Sequence, residues 1–297
     1  MYKKVTLLFV FIFYSMLIAP IKESRVNNTD IHIVFDLGGV LVETDSSAAF
    51  KELIYHVGPI NFSIIILIKL LTLKNPFALD SMIFNYLSAT YPRSQYESLA
   101  CDIKGNLLPQ PMCDWLKGKT VSTAILANVL HYLDNSSLTS RDIALLKAIS
   151  HVIFEPATFV RTRKLISAGV SFAKRCKQQG YKIYILSNWD CESFALLRER
   201  NAEFFDLFDG IIISGQAQML KPDANIFNYA FNETWHLNLE RTVYLDDQPE
   251  NLTAPKNLGV QTILCTSKYS GGKPDFKKVT KKLKSFLQTV DYVSAII

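Results

Sequence analysis

Six polar side chains could do chemistry, five of them standing where an apolar run stops. Asp36 follows Ile31 to Phe35, Ser187 and Asn188 follow Lys182 to Leu186, Lys221 precedes Pro222, and Asp246 with Asp247 follows Thr242 to Leu245. The three apolar runs are short and rich in β-branched or aromatic residues, as expected of strands covered on both faces in a parallel sheet. Ligands of such sheets bind beyond the carboxyl ends of the strands. An aspartate, a hydroxyl, an amine and two adjacent carboxylates gathered at one sheet edge would suit an anionic group together with a cation. Gly38 and Gly39 let the main chain turn sharply behind Asp36 and approach a ligand without a Cβ in the way. Adjacent aspartates also serve as turn or cap residues, and Gln248-Pro249 is turn-like, so both readings hold for Asp246 and Asp247.

The elements that must position these residues alternate. Strand Lys182 to Leu186, helix Glu192 to Arg200, strand Gly210 to Ile213, helix Asp223 to Trp235, strand Thr242 to Leu245, helix Asn251 to Leu258 and strand Gln261 to Leu264 are expected in that order. Strands interleaved with helices of this length imply an α/β fold, a doubly wound parallel sheet with right-handed crossovers. A helix from Phe159 through Cys176, ended by Gly180, is expected to precede them. A last helix from Asp275 to Val290 is expected to turn Val279, Leu283, Phe286, Leu287 and Val290 inward.

Val42 to Ser47 reads as a polar flap leading out of the core. From Ala48 to Phe154 the pattern is helical throughout, so an all-helical domain, 48–154, is expected to interrupt a core made of 31–47 and 155–297. Within it, Ala49, Phe50, Leu53 and Ile54 mark one helix, Phe62 to Leu73 a second and Asp80 to Leu87 a third. Pro109, Pro111 and Gly118 mark a connection. Val121 to Leu133 and Arg141 to Phe154 form a helix pair, with Thr139 or Ser140 as N-cap of the second.

The 297 residues are 49% hydrophobic, enough for a sizeable core and incompatible with a disordered chain. The formal charge of +5 is mild. Lys273, Lys277, Lys278, Lys281, Lys282 and Lys284 read as the solvated face of the last helix, and no nucleic-acid partner is expected. Five cysteines without a Cys-x-x-Cys pair indicate neither a zinc site nor a disulfide framework. Lys3 and Lys4 ahead of an apolar run at 5–19 have the form of a signal peptide or short anchor, joined by a polar linker through residue 30. Export or membrane anchoring is therefore expected, with a cytoplasmic location as the alternative, and any membrane contact is expected through 5–19 alone. Asn-x-Ser/Thr triplets occur at Asn27, Asn61, Asn135, Asn232 and Asn251, the last beside the expected site.

Taken together, the blocks at Asp36, Ser187, Lys221 and Asp246-Asp247 resemble, in order and spacing, the four motifs of the haloacid dehalogenase-like (HAD) hydrolases. The resemblance runs from Ile31 to about Thr266 and is nearest to the Rossmann-like phosphatases with a helical cap after the first motif, including those similar to the phosphatase domain of soluble epoxide hydrolase. It implies Asp36 as nucleophile toward a small phosphorylated metabolite. It implies Mg²⁺ held by Asp36, the Gly38 carbonyl and one of the paired acids, Asp247 directly with Asp246 as its supporting or alternate partner. Ser187 and the Asn188 main chain would bind the phosphoryl oxygens, and Lys221, at a helix start fixed by Pro222, would offset their charge. One departure stands out: phosphatases of this family usually carry a second aspartate two residues after the first, where this chain has Gly38. Either leaving groups of low pKa are preferred, or Glu43, Asp45 or His56 supplies the proton. Alternatives are a metal-independent dehalogenase-type hydrolase, which would leave Asp246-Asp247 unexplained, and a catalytically weakened protein that binds a phosphorylated ligand or a partner.

Overall fold

Residues 30–58, 83–84, 87–88, 99–102, 105–266 and 274–294 are described by a computed structural model. In chain order the elements that matter for the site are β1 (His32–Phe35), β2 (Val42–Thr44), α1 (Ser46–Val57), α2 (Gln110–Leu116), α3 (Ser122–Asp134), α4 (Ser140–Phe154), α5 (Pro156–Arg161) and β3 (Arg163–Leu165). There follow α6 (Ser167–Gln178), β4 (Lys182–Ser187), α7 (Cys191–Arg200), β5 (Gly210–Ile213), α8 (Ala224–Asn228), β6 (Thr242–Asp246), β7 (Gln261–Leu264) and α9 (Phe276–Ser294).

Five strands pair in the order β5-β4-β1-β6-β7, all parallel. The chain builds outward from β1 to β4 and β5, then crosses back to lay β6 and β7 on the other side. Strand order therefore reverses at β1, where a doubly wound sheet opens a crevice at its carboxyl edge. Alternation sends Ile33, Phe35, Ile183, Ile185, Val243 and Leu245 to one face of the sheet, packed on α6 and α9 residues such as Phe172 and Val279. Val34, Tyr184, Leu186, Ile212 and Tyr244 face the other way, onto Ile226, Phe227 and Phe231. Both faces are buried, which is why these strands read as near-continuous apolar runs.

A separate cluster built from Leu53, Val57, Met112, Trp115, Ile125, Val129, Leu133, Leu145, Ile149 and Phe154 fills the helical stretch between β2 and β3. One core residue, Leu220, joins it. Among the described residues no helix is long and apolar enough to cross a membrane. The apolar run at 5–19, the helix expected over Phe62 to Leu73 and the sequons at Asn27 and Asn61 lie outside the described residues, as does most of the helix expected over Asp80 to Leu87.

The structure departs from the sequence reading at four places. Val42 to Ser47 is not simply a flap: Val42–Thr44 pairs antiparallel with Arg163–Leu165, and the Asp45 main-chain N–H continues that contact to the Thr162 carbonyl at 2.8 Å. The same pairing breaks the single helix expected from Phe159 to Cys176 into α5, β3 and α6. Three-residue strands whose partners lie far off in the chain leave no local period to detect. Pro109 and Pro111 start α2 rather than marking a mere connection, because prolines are tolerated where a first helical turn has no N–H partner to lose. The helix expected over Asp223 to Trp235 is α-helical only to Asn228 and continues as a π-helix over Tyr229–Thr234.

Candidate active site

Asp36 leaves the end of β1 nearly buried, 6% exposed, with its main-chain N–H on the Leu245 carbonyl at 2.7 Å. Its Oδ1 accepts two hydrogen bonds, from Ser187 Oγ at 2.8 Å and from Lys221 Nζ at 2.8 Å. Both donors lie on one oxygen, which leaves Oδ2 the less constrained atom of the carboxylate. Burial, opposed by the Lys221 charge and reinforced by Asp246, pushes the Asp36 carboxyl up to about 6.

Lys221 is 1% exposed and donates also to Asp246 Oδ2 at 2.7 Å and to the Tyr244 hydroxyl at 3.0 Å. Burial disfavours its ammonium, but the carboxylates of Asp246 and Asp36 outweigh that and hold its pKa above the usual lysine value. The expected cause of its placement changes here. Helix α8 starts only at Ala224 with Asp223 as N-cap, so Pro222 stands outside the helix and Lys221 is not held by a helix end. Asn188 positions it instead: its Oδ1 accepts from the Lys221 main-chain N–H and its Nδ2 donates to the Lys221 carbonyl, both at 2.9 Å. Leu220, packed into the helical cluster, anchors the same segment from the other side.

Asp246 is fully buried and fully engaged. Besides Lys221 it accepts from the Tyr244 hydroxyl, from the Gln248 main chain at 2.8 Å and from Asn251 Nδ2 at 3.2 Å to each oxygen. Tyr244, held well above its ordinary pKa by burial and by Asp246, stays a donor. Asp247 contrasts with its neighbour: it is half-buried, and no side chain of another described residue hydrogen-bonds or ion-pairs with its carboxylate. Burial, then Asp36 and Asp246, drive its carboxyl well above the normal range. It lies over Gly39, whose φ is +69° and where a Cβ would sit 2.5 Å from Asp247 Cγ. Glycine is required there for both reasons.

Asp36, Asp246 and Asp247 offer oxygens that lie within 4.8 Å of one another. Three carboxylates against one ammonium leave two formal negative charges in a low-dielectric crevice, and one of the acids has no partner. That donor set fits a hard divalent cation with oxygen ligands.

Of the three proton sources expected from the sequence, Asp45 is engaged elsewhere. Asp45 caps α1, accepting from Ser47 N at 3.0 Å and Ala48 N at 3.2 Å, and pairs with Lys164 at 3.3 Å. The Ala48 main-chain bond, then Lys164, hold its pKa low, so it is the wrong form to donate. His56 stacks on His151, 4.7 Å between centroids, in a cluster with Glu52 and Glu155 on the helical stretch. Glu43 lies in β2, 4.0 Å from Lys164. Tyr244 and Asn251 are the site residues that sequence reasoning passed over. Tyr244 precedes Asp246 by two on the same strand face, a signal present in the pattern. Asn251 figured only as a sequon and as the start of a helix. It is 3% exposed and bonded to Asp246, which leaves no room for a glycan.

A haloacid dehalogenase-like hydrolase family model matches residues 32–259, more than half of the chain. A sesquiterpene phosphatase of Aspergillus oryzae is 32% identical over 90 residues, which cover 30% of this chain and 45% of that protein. A drimenol cyclase of Aspergillus calidoustus is 29% identical over 113 residues, 36% of this chain and 21% of that one. The matched part thus spans less than half the length of either curated relative. Among solved structures, a HAD-like family hydrolase from Porphyromonas gingivalis gives a TM-score of 0.51 at 15% identity over 85% of this chain and 97% of that one. A HAD family enzyme from Bacteroides thetaiotaomicron, solved as its magnesium complex, gives 0.50 at 14% identity over 80% and 94%. At such identities the likeness is one of fold.

Proposed function

The chain belongs to the haloacid dehalogenase-like hydrolases, and from that premise we propose that it is a Mg²⁺-dependent phosphatase working through a phosphoryl-aspartate at Asp36. The observation that carries the reading is the Asp36 carboxylate itself, fixed through Oδ1 by Ser187 and Lys221 with Oδ2 left to attack. Asp36 Oδ2 would bond to phosphorus in line as the bond from phosphorus to the leaving oxygen breaks and that oxygen takes the electron pair. Water then adds to phosphorus, and the acyl link breaks to return the Asp36 carboxylate and inorganic phosphate. Asp36, the Gly38 carbonyl and Asp247 would hold Mg²⁺, with Asp246 behind them. When bound, the ion would screen the charge between the aspartate and the phosphate dianion.

The remaining residues orient and neutralise. Lys221, clasped by Asn188 and braced by Tyr244, places one buried cation where the transferred group gathers charge. Ser187 sits at the same oxygen as that cation and is placed to pass its hydrogen bond to a phosphoryl oxygen, as is the Asn188 main chain. No carboxyl stands at position 38 to protonate the departing oxygen, which favours substrates whose leaving group is stable as an anion, such as acyl or anomeric phosphates. The sesquiterpene phosphatase relative adds terpenyl phosphates to the classes worth assaying. A metal-independent dehalogenase would leave the adjacent pair Asp246 and Asp247 beside Asp36 unexplained.

The test is a panel of p-nitrophenyl, acyl, anomeric, terpenyl and alkyl phosphates, assayed with Mg²⁺ and with EDTA, alongside Asp36→Asn. Mg²⁺-dependent release of phosphate is expected, abolished by D36N, with an aspartyl adduct mass trapped on wild-type protein by BeF₃⁻. Adduct formation without turnover on any substrate would mark a phosphoryl-ligand binder. EDTA-resistant turnover of a haloacid would overturn the phosphatase reading.

A further inference from the structure

Far along α1 from the sheet edge, two helices each present a histidine and a glutamate four residues apart: Glu52 and His56 on α1, His151 and Glu155 at the end of α4. Residues spaced by four share a helix face, so the two pairs meet across the α1–α4 contact. His56 Nε2 stands 3.8 Å from Glu155 Oε2, and His151 Nδ1 stands 3.6 Å from the same oxygen. Those separations are too long for hydrogen bonds. His56 Nε2 is nevertheless buried, and it has no hydrogen-bond partner among the described residues. A buried ring nitrogen with nothing to satisfy it is uncommon in a folded chain and, as its neutral lone-pair tautomer, could take a ligand.

We propose that His56, His151 and Glu155 form a second divalent-metal site, suited to Zn²⁺, that fastens α1 to the end of α4. Their ligand atoms already lie within 4.8 Å of one another. Ligands of a tetrahedral zinc ion, each about 2.0–2.2 Å from the metal, stand about 3.4 Å apart, so His56 Nε2 and His151 Nδ1 need each draw in by only a fraction of an ångström toward Glu155 Oε2. The rings are stacked at 5°. Parallel rings in separate planes cannot both aim a lone pair at one ion, so binding turns at least one imidazole about χ2, a soft torsion. Two imidazoles and one carboxylate with a fourth position for water form a set that zinc accepts, whereas the all-oxygen Asp36 crevice suits a harder ion. Glu52 is kept from the fourth position by Arg161, which donates to its two oxygens at 2.6 and 3.2 Å. The site is independent of the phosphatase reading, since none of its residues belongs to the Asp36 crevice.

The chain has five histidines, and none stands in the Asp36 crevice, so a shift confined to the His56 and His151 imidazoles separates the new site from that crevice and from zinc held at His32, His131 or His236. Full-length protein is saturated with Mg²⁺, titrated with Zn²⁺ near neutral pH and followed by histidine side-chain ¹H–¹⁵N spectra, with bound zinc measured by equilibrium dialysis. Expected are one bound Zn²⁺ per chain, perturbation of two of the five imidazoles, and, on replacement by Co²⁺, the strong visible absorption of a tetrahedral ion. His56→Gln and His151→Gln, checked for folding by circular dichroism, are each expected to weaken zinc at least about tenfold. Because the wild-type spectra require no variant, a misfolded mutant does not rescue the idea. Absence of a zinc-dependent imidazole shift, or retention of the ion in both variants, would show a histidine–carboxylate ion-pair cluster only and overturn the proposal.

Discussion

Gly38 occupies the place where a carboxyl would serve the departing oxygen, and the structure leaves that place open. A Cβ built at Gly38 meets nothing within 4 Å, whereas one at Gly39 runs into Asp247. Gly38→Asp therefore carries little steric cost, and its new carboxyl joins a crevice that already has three acids against Lys221. Like charges nearby raise a carboxyl pKa, so the added aspartate is held toward its protonated form, the one a general acid needs. A positioned acid contributes about 10²–10⁴-fold, or roughly 2.7–5.4 kcal/mol of barrier. The gain should fall almost entirely on alkyl phosphates, whose leaving oxygen is a strong base, and hardly at all on p-nitrophenyl phosphate. The assay is kcat on a glycerol or ethyl phosphate and on p-nitrophenyl phosphate for wild type, G38D and G38N at saturating Mg²⁺. If folded, Mg²⁺-loaded G38D gains no alkyl activity over G38N, or if wild type already handles both substrates equally, the proton-donor argument is wrong.

Gly39→Ala is expected to cost about 1–2 kcal/mol for its positive φ alone and, by displacing Asp247, to weaken Mg²⁺ binding; thermal melts with and without Mg²⁺ read both effects. Tyr244→Phe removes one buried hydrogen bond to Lys221 and one to Asp246, for a stability loss of about 1–3 kcal/mol by urea titration and a fall in kcat rather than in KM. On the proposed reading, protons and Mg²⁺ would compete for the same carboxylates. With the Asp36 pKa raised to about 6 in the metal-free fold, the stability its protonated form confers is lost as pH rises through that value, so the rise in Tm on adding Mg²⁺ should be larger near pH 8 than near pH 5. A Mg²⁺ effect that shrinks with rising pH would contradict that assignment.

Much of the fold was legible because its signals are local. Strands β4 to β7 announce themselves as short apolar runs between glycines and turn residues, and both buried faces of the sheet demand that composition. Thr139 as N-cap of α4 was readable for the same reason, as its side chain accepts from the Asp142 main chain three residues on. What could not be read depends on partners distant in sequence. β2 and β3 are three residues each and exist only as a pair bridging the exits of the helical stretch, and no period of two can be established over three positions.

The site shows the same division more sharply. Its acidic members were visible because each sits where a strand stops, and a doubly wound sheet brings strand ends together at the reversal of strand order. The reason Lys221 works was not visible. Reading it as the guest of a helix terminus supplies an attraction for anions but no account of how an ammonium survives at 1% exposure. The structure supplies that account: two carboxylates compensate the charge, a phenol completes the donors' partners, and an asparagine fixes the main chain that carries it. The same tally leaves Asp247 uncompensated. A buried lysine that already serves Asp36 and Asp246 cannot also neutralise a third acid it does not touch, and desolvated carboxylates side by side are stable only if protonated or shared by a cation. On the proposed reading, activity at neutral pH would call for the cation, and Asp247→Asn is the substitution that should most reduce Mg²⁺ affinity while sparing, or even raising, the stability of the metal-free fold.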